Sequence, residues 1–424
     1  MAMKARHPFP ATAIHLSISM IKKVFVDDLR VGVYVTDFNT PIAHKGSIYI
    51  EPGPISREST IKILKSWGVG QVDIDTSLGL DPETLPKNKK RKVTSPAGPN
   101  NPRPRIRPSV PLKIERNVAL EVSREAMRAV EHAYQDVMRG DVPEAGQFYD
   151  IAERMYDSIH RNSDALILLG RIREKDTYTL QHSVSVCTYV LAMCQYYDMS
   201  ESQSLDLAVG ALFHDIGKAI IPLSVLNKPG KLTAEEVQIM KRHAEYSSEL
   251  LHQVQGIPQH CVDVALHHHE RYDGTGYPHG LRREQISFPV QLTSVCDVFD
   301  ALVSERCYKP GLETVMGLRM IYEGGGTHFN RELAYDFIRC IGMYPVGTCV
   351  VLADGRSGVV MESTEDVKRP VVKVLYDETK RERLPRPIRV DLSKTGGEIA
   401  CYSNASTLFG CTHEGQLLRK LFAV

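Results

Sequence analysis

Residues 267–278 read HHHERYDGTGYP, and the rest of the chain is interpreted from this stretch. Three successive histidines followed by Glu270 are a poor way to build a core. The DGTGYP that follows, with Gly274, Gly276 and Pro278, reads as a turn. Histidines without a packing purpose point to metal. Two questions then stand open: which of the three ligate, and which residues elsewhere supply the remaining ligands.

Working outward, ALFHDIGK (211–218) places His214 and Asp215 at the end of an apolar helix carrying Leu205, Ala208, Ala211 and Leu212, with Lys218 one turn beyond His214. In KPGKLTAEEVQIMKRH, Pro229-Gly230 makes a turn, Thr233 and Glu236 form a capping box that starts a helix, and His243 lies on that helix. Upstream, DTYTLQHSVSV puts His182 on a helix packed through Val184, Val186 and Val190. Downstream, VCDVFDALVSERCYK sets Asp297 and Asp300 three apart on one helix face, with Arg306 and Lys309 following.

Each feature alone is ordinary, since a single helix histidine is more often a satisfied packing residue than a ligand. Jointly, His182, His214, Asp215, His243, two of the triplet and Asp297 offer more nitrogen and oxygen ligands than one ion takes. Two ions sharing a bridging carboxylate suit the set, and the absence of thiolate favours iron or manganese over structural zinc. Such a pair can activate a water and neutralise the charge of a phosphodiester. His132, His160, His252, His260, His279 and His328 read as surface or packing histidines.

The chain has 424 residues, which suits two or three domains. Its formal net charge of +1 argues against a general polyanion binder, so no DNA or RNA partner is expected. Nine cysteines, odd in number and without a CxxC pair, read as reduced thiols of a cytoplasmic protein. No apolar run approaches the ~18 residues that cross a bilayer.

Residues 1–19 read as a disordered tail, with no A-x-A-like cleavage site and hence no signal peptide. Residues 20–78 read as a small α+β accessory domain. It has β-like runs KVFV and GVYVTDF, a helix at 56–68 with Ile61, Leu64 and Trp67 on one face, and a strand QVDIDT with Val72 and Ile74 inward. Residues 79–112 form a Pro/Lys/Arg-rich linker. Its KNKKRK reads as a solvated basic run, with a nucleic-acid or anionic-lipid patch as the sharper alternative.

The fold class is mainly α. Residues 113–340 form a helical metal-binding bundle, preceded by the α+β domain and followed at 341–424 by a β-rich extension of period-two runs around Asp354-Gly355. Helices are predicted near 114–138, 145–160, 163–172, 179–196, 203–215, 234–253, 259–269, 289–304 and 312–323. The first of these either packs on the bundle or forms the seam of a homodimer.

DTYTLQHS, HDIGKAIIP, NKPGKLTAEE…MKRH, HHERYDGTGYPHGL and DVFDALVSERCYK together resemble the HD-GYP family, a branch of the HD phosphohydrolase superfamily. The resemblance covers about 176–330 in the family's order and spacing. The N-terminal module resembles the accessory domain that often precedes HD-GYP domains in bacterial proteins. The resemblance implies an HD-type bundle with a di- or trinuclear metal site that hydrolyses cyclic di-GMP to pGpG and on to GMP, through a hydroxide bridging the metals.

By that match the metal ligands fall on His182, His214, Asp215, His243, His268, His269 and Asp297, leaving His267 as the extra histidine. Asp215 is implied to bridge the metals, and Asp215 and Lys218 to carry catalysis. Lys218, Tyr277, Arg306 and Lys309 are implied to contact substrate, and Asp300, on the helix face of Asp297, is counted with them. Members with three metals carry an acidic residue one turn before the first histidine. Tyr178 stands there, so two divalent ions, iron or manganese, are expected. The family's usual arginine six residues before the last aspartate is Gln291, and Cys307 replaces a proline in the RPY-like segment.

The rivals are a non-catalytic cyclic di-GMP sensor or adaptor, and a phosphohydrolase of another nucleotide. The full ligand set favours an enzyme, and the resemblance of the GYP segment implies cyclic di-GMP as its substrate. A signalling protein engaging the accessory domain or the GYP loop is the expected protein partner.

Overall fold

The structure, a computed structural model, describes residues 21–29, 33–37, 53–55, 61, 65, 71–75, 108–172, 178–304, 311–403 and 414–422. The tail at 1–19, most of the helix read at 56–68, the linker up to residue 107, the side chain of Tyr178, and Arg306, Cys307 and Lys309 lie outside the described residues. The chain divides into two compact units, one of residues 1–44 and 49–101, the other of 45–48 and 102–424.

In the first unit, β1 (Ile21–Phe25), β2 (Tyr34–Asp37), β3 (Gly53–Pro54) and β4 (Gln71–Asp75) form an antiparallel sheet in the order β1-β4-β2-β3. Val72 and Ile74 on alternate positions of β4 are buried with Val24, Val35 and Ile61, the face that the period-two pattern selects.

The second unit is a helical bundle. Its long helices are α1 (Leu112–Arg139), α2 (Gly146–Gly170), α3 (Tyr178–Tyr196) and α4 (Glu201–Phe213). Small residues at helical spacing (Ala119, Ala126, Ala129, Ala133) let α1 lie close on α2, so the predicted first helix packs on the bundle. α2 contains a break at Asn162, with φ −166° and ψ 99°, where the sequence suggested two helices. The Asn162 side chain stabilises the break by donating to the Val110 carbonyl (2.9 Å) and accepting from the Asp164 amide (3.1 Å). α4 starts at a Ser200/Gln203 capping box, and its buried Leu207, Ala208, Ala211 and Leu212 carry the chain to His214 at the helix end.

After a 3-10 turn at Ile216–Ile220 come α5 (Leu223–Leu226), α6 (Ala234–Lys241), α7 (His243–Leu251) and α8 (Gln259–His267). The Thr233/Glu236 capping box starts α6. The single helix predicted at 234–253 is two helices. At Arg242 the last turn of α6 tightens, with the Arg242 amide bonding back to Ile239 (3.2 Å). The Met240 carbonyl accepts the His243 imidazole instead. α9 (Phe288–Val303), α10 (Thr314–Glu323) and α11 (Arg331–Ile341) complete the bundle. Burial of each large aliphatic or aromatic core side chain contributes roughly 1.5–3 kcal/mol.

The C-terminal part is a five-stranded antiparallel sheet in the order β8-β7-β6-β5-β9. Its strands are β5 (Cys349–Leu352), β6 (Arg356–Glu362), β7 (Val371–Asp377), β8 (Glu382–Asp391) and β9 (Ile399–Tyr402), with a short α12 (Leu392–Thr395) between β8 and β9. This sheet is fastened to the bundle. The Ser363 amide and hydroxyl donate to the Asp164 carboxylate (3.1 and 3.0 Å). Leu418 and Phe422 of α13 (Glu414–Phe422), a helix the sequence reading did not anticipate, are buried in the bundle core. Among the described residues no helix is long and apolar enough to cross a membrane.

Candidate metal centre

Three of the histidines stand at helix breaks or ends, and one physical device aims them. A helix C-terminus leaves carbonyls without intrahelical partners. His214 Nδ1 lies 2.7 Å from the Ala211 carbonyl, His243 Nδ1 lies 2.7 Å from that of Met240, and His268 Nδ1 lies 3.0 Å from that of Ala265. A carbonyl can only accept, so each Nδ1 carries the hydrogen and each Nε2 keeps its lone pair. His182, on α3, is held in the same sense by a carboxylate: its Nδ1 lies 2.7 Å from Asp300 Oδ2.

The freed nitrogens converge on Asp215. Its Oδ2 faces His214 Nε2 at 3.3 Å and His182 Nε2 at 3.6 Å. Its Oδ1 faces His243 Nε2 at 3.3 Å and His268 Nε2 at 3.7 Å. Asp297 Oδ1 lies 2.9 Å from His182 Nε2, and its Oδ2 lies 3.9 Å from His269 Nδ1. His269 Nε2 is 3.1 Å from His243 Nε2. The donor atoms fall into two groups that share Asp215. One is His182, His214 and Asp215; the other is Asp215, His243, His268 and His269.

The residues fit metal. His214 Nε2 and Asp215 Oδ1 are buried and make no hydrogen bond. Buried polar atoms left unpaired are costly and rare, and a cation between them would satisfy both. Electrostatics keeps Asp215 and Asp297 ionised and His268 and His269 neutral. Burial raises a carboxyl's pKa, yet Lys218 and the His214 ring hold Asp215 well below the usual carboxylate range. Burial also opposes ionisation of Asp297, but the hydrogen bond and charge of His182 hold it low. Burial disfavours protonation of His182, but Asp297 and Asp300 outweigh it and hold the imidazole up at about 9, so near neutral pH its Nε2 also carries a proton, which a cation at the site would displace. Burial and His214 push His268 down to about 3, and burial and His268 push His269 down as well, so both are neutral donors.

Lys218, on the 3-10 turn, donates to Asp215 Oδ2 and keeps part of its side chain exposed. Tyr277 stacks on the His269 ring, with centroids 4.7 Å apart and planes at 29°, and Lys241 Nζ lies 4.9 Å from the Tyr277 centroid. Asp300 differs from the substrate contact the sequence suggested. Its side chain is 0 % exposed and lies behind His182, where it also accepts from the Ser304 hydroxyl (3.2 Å), so it cannot meet a ligand arriving from solvent. Arg306 and Lys309 lie outside the described residues.

Other residues make contacts at this centre that the sequence reading did not assign them. Glu270 is buried, and its carboxylate accepts the amides of His279 (2.7 Å) and Leu281 (3.0 Å), which fastens the DGTGYP loop at its far end. Gly276 is required there, because a Cβ would lie 2.4 Å from the Arg271 nitrogen and 2.5 Å from the Glu270 Cα. Gln291 has a structural partner of its own, its amide donating to the carbonyls of Ile286 (2.7 Å) and Arg283 (3.3 Å). Tyr134, on α1, donates its hydroxyl to the Asp215 carbonyl at 2.8 Å.

Residues 167–333 match the family described as HD domain, and residues 21–148 match a domain of unknown function (DUF3391). The second match runs through α1. The chain is 34% identical over 386 residues to the cyclic di-GMP phosphodiesterase PA4108 of Pseudomonas aeruginosa, covering 89% of this chain and 90% of that one. It is 44% identical over 142 residues to the cyclic di-GMP phosphodiesterase response regulator RpfG of Xanthomonas campestris, covering 33% of this chain and 38% of the relative. To the 3'3'-cGAMP-specific phosphodiesterase 2 of Vibrio cholerae it is 34% identical over 167 residues, 39% of this chain and 32% of the relative.

Proposed function

Because the chain belongs to the HD-GYP family of phosphodiesterases, we propose that it hydrolyses cyclic di-GMP to pGpG at a pair of divalent cations. The observation that carries this reading is Asp215, whose two oxygens face two different sets of histidine nitrogens as a bridging carboxylate must. His182, His214, Asp215 and Asp297 would hold one ion, and Asp215, His243, His268 and His269 the other. The all-imidazole and carboxylate donor set supports iron or manganese. Bound there, the ions would supply Lewis acidity, acidifying a water and offsetting phosphate charge.

The protein's own groups do the rest. Lys218 supplies a mobile positive charge beside Asp215, in reach of a phosphate oxygen or of the leaving 3′-oxygen as it gains a proton. Tyr277, stacked on His269, offers an aromatic face and a hydroxyl at the mouth of the site. Arg306 and Lys309 are proposed phosphate contacts on the family pattern alone. Asp300 acts on substrate only through His182, by fixing its ring.

That last role has its own test. Asp300→Asn is expected to weaken metal affinity roughly 10–100-fold, as loss of a histidine's carboxylate partner does. KM for substrate at saturating metal should stay unchanged. A raised KM with normal metal affinity would return Asp300 to the substrate side.

Turnover of cyclic di-GMP, 3′3′-cGAMP and ppGpp by the manganese- or iron-loaded chain tests the reaction itself. Cyclic di-GMP is expected to be hydrolysed fastest, with pGpG as the first product. Tight binding of cyclic di-GMP without hydrolysis would make the protein a sensor, and preference for another nucleotide would change the substrate.

A further inference from the structure

His267, the histidine of the triplet that belongs to neither ligand group around Asp215, has neighbours of its own. Its Nδ1 is buried and makes no hydrogen bond, 3.8 Å from Glu270 Oε1. The His279 ring stands with its centroid 5.1 Å from that of His267. One donor atom from each of His267, Glu270 and His279 lies within 4.8 Å of the others. We infer that these three residues form an outer cation site, separate from the inner centre, for a divalent transition ion of the zinc type.

The chemistry selects the ion. Two imidazoles and one carboxylate are the donor set that zinc takes with a fourth position left to water, whereas magnesium and calcium require oxygen ligands. His279 is exposed, which leaves that fourth position open to solvent. Glu270 is already fixed by the two loop amides it accepts, and each oxygen keeps a lone pair for the ion. His267 Nδ1 lacks a partner, and an ion would supply one.

The position gives the site a consequence. His267 ends α8, directly before His268 and His269, and His279 follows Tyr277-Pro278. An ion joining them would tie both ends of the DGTGYP loop to the helix that carries two inner histidines. The loop would then be stiffer when zinc is present.

The test counts zinc per chain on the full-length protein by equilibrium dialysis and elemental analysis, for wild type, His267→Ala and His279→Ala. Each variant is expected to bind one zinc fewer than wild type and to keep its manganese-supported hydrolysis. His279 is exposed, so its replacement leaves the core intact. Equal zinc content in wild type and His279→Ala would overturn the site, whatever His267→Ala does. The difference in count is independent of the inner centre: failure of the inner reading would appear as absent hydrolysis in all three proteins.

Discussion

Asp215→Ala is expected to lower hydrolysis by at least roughly a thousand-fold, since loss of even one preorganised charge-stabilising group costs about 10²–10³ in rate. It should also reduce the inner metal content from two ions to one or none, because both histidine groups lose their shared carboxylate. Turnover by wild type and variant at matched manganese, beside metal analysis of both, checks the two statements together. Retention of two inner ions with normal hydrolysis would remove Asp215 from the centre. His268→Ala should lower inner metal content as well, whereas His267→Ala should spare it.

Gly217→Ala is the second large effect, and it arises from packing. A Cβ at this position would lie 2.2 Å from the His243 carbonyl oxygen, 2.5 Å from the Ser247 nitrogen and 2.8 Å from Ser247 Oγ. Two of these are backbone atoms of α7 and cannot swing aside, so the turn carrying Lys218 must separate from the helix carrying His243. The Gly217 amide would also lose its 2.8 Å bond to the Ser247 hydroxyl. Overpacking of this kind costs about 1–3 kcal/mol. A displacement near 1 Å at the reacting groups costs on the order of a hundred-fold in rate. Chemical denaturation and steady-state kinetics should therefore both register the substitution. A variant with wild-type kcat and unchanged denaturation midpoint would show that the two elements need not touch.

The contrast between Asp215 and Gly217 explains what was legible in the sequence. Ligand candidates announce themselves by residue type: adjacent histidines, and carboxylates at helical spacing, are chemically conspicuous before any fold is known. The helical layout was legible for the same local reasons, with apolar periodicity over α1 and α4 and the Thr233/Glu236 box at α6. The break at Arg242 was not, because no glycine or proline marks it. There the Arg242 amide turns back to Ile239 and the His243 ring bonds the Met240 carbonyl, contacts that appear only once the chain is folded. Asp300 could be placed on the face of Asp297, but its partner His182 lies 118 residues earlier, and only the packing of α3 on α9 decides that the carboxylate meets an imidazole and not solvent. Tyr134, 81 residues before Asp215, is hidden in the same way. Gly217 looks like any turn glycine until α7 is set against it.

The carbonyl bonds to His214, His243 and His268 carry one more consequence. A free imidazole must surrender rotational freedom and select a tautomer when it captures a cation. Here both selections are made during folding, by carbonyls that the ends of helices present in any case. Metal capture therefore has little conformational entropy left to overcome, and the empty and filled centres should share one arrangement of rings. The centre behaves as a template awaiting its ions, whose rate of filling is set by stripping water from the cation and not by rearrangement of the protein.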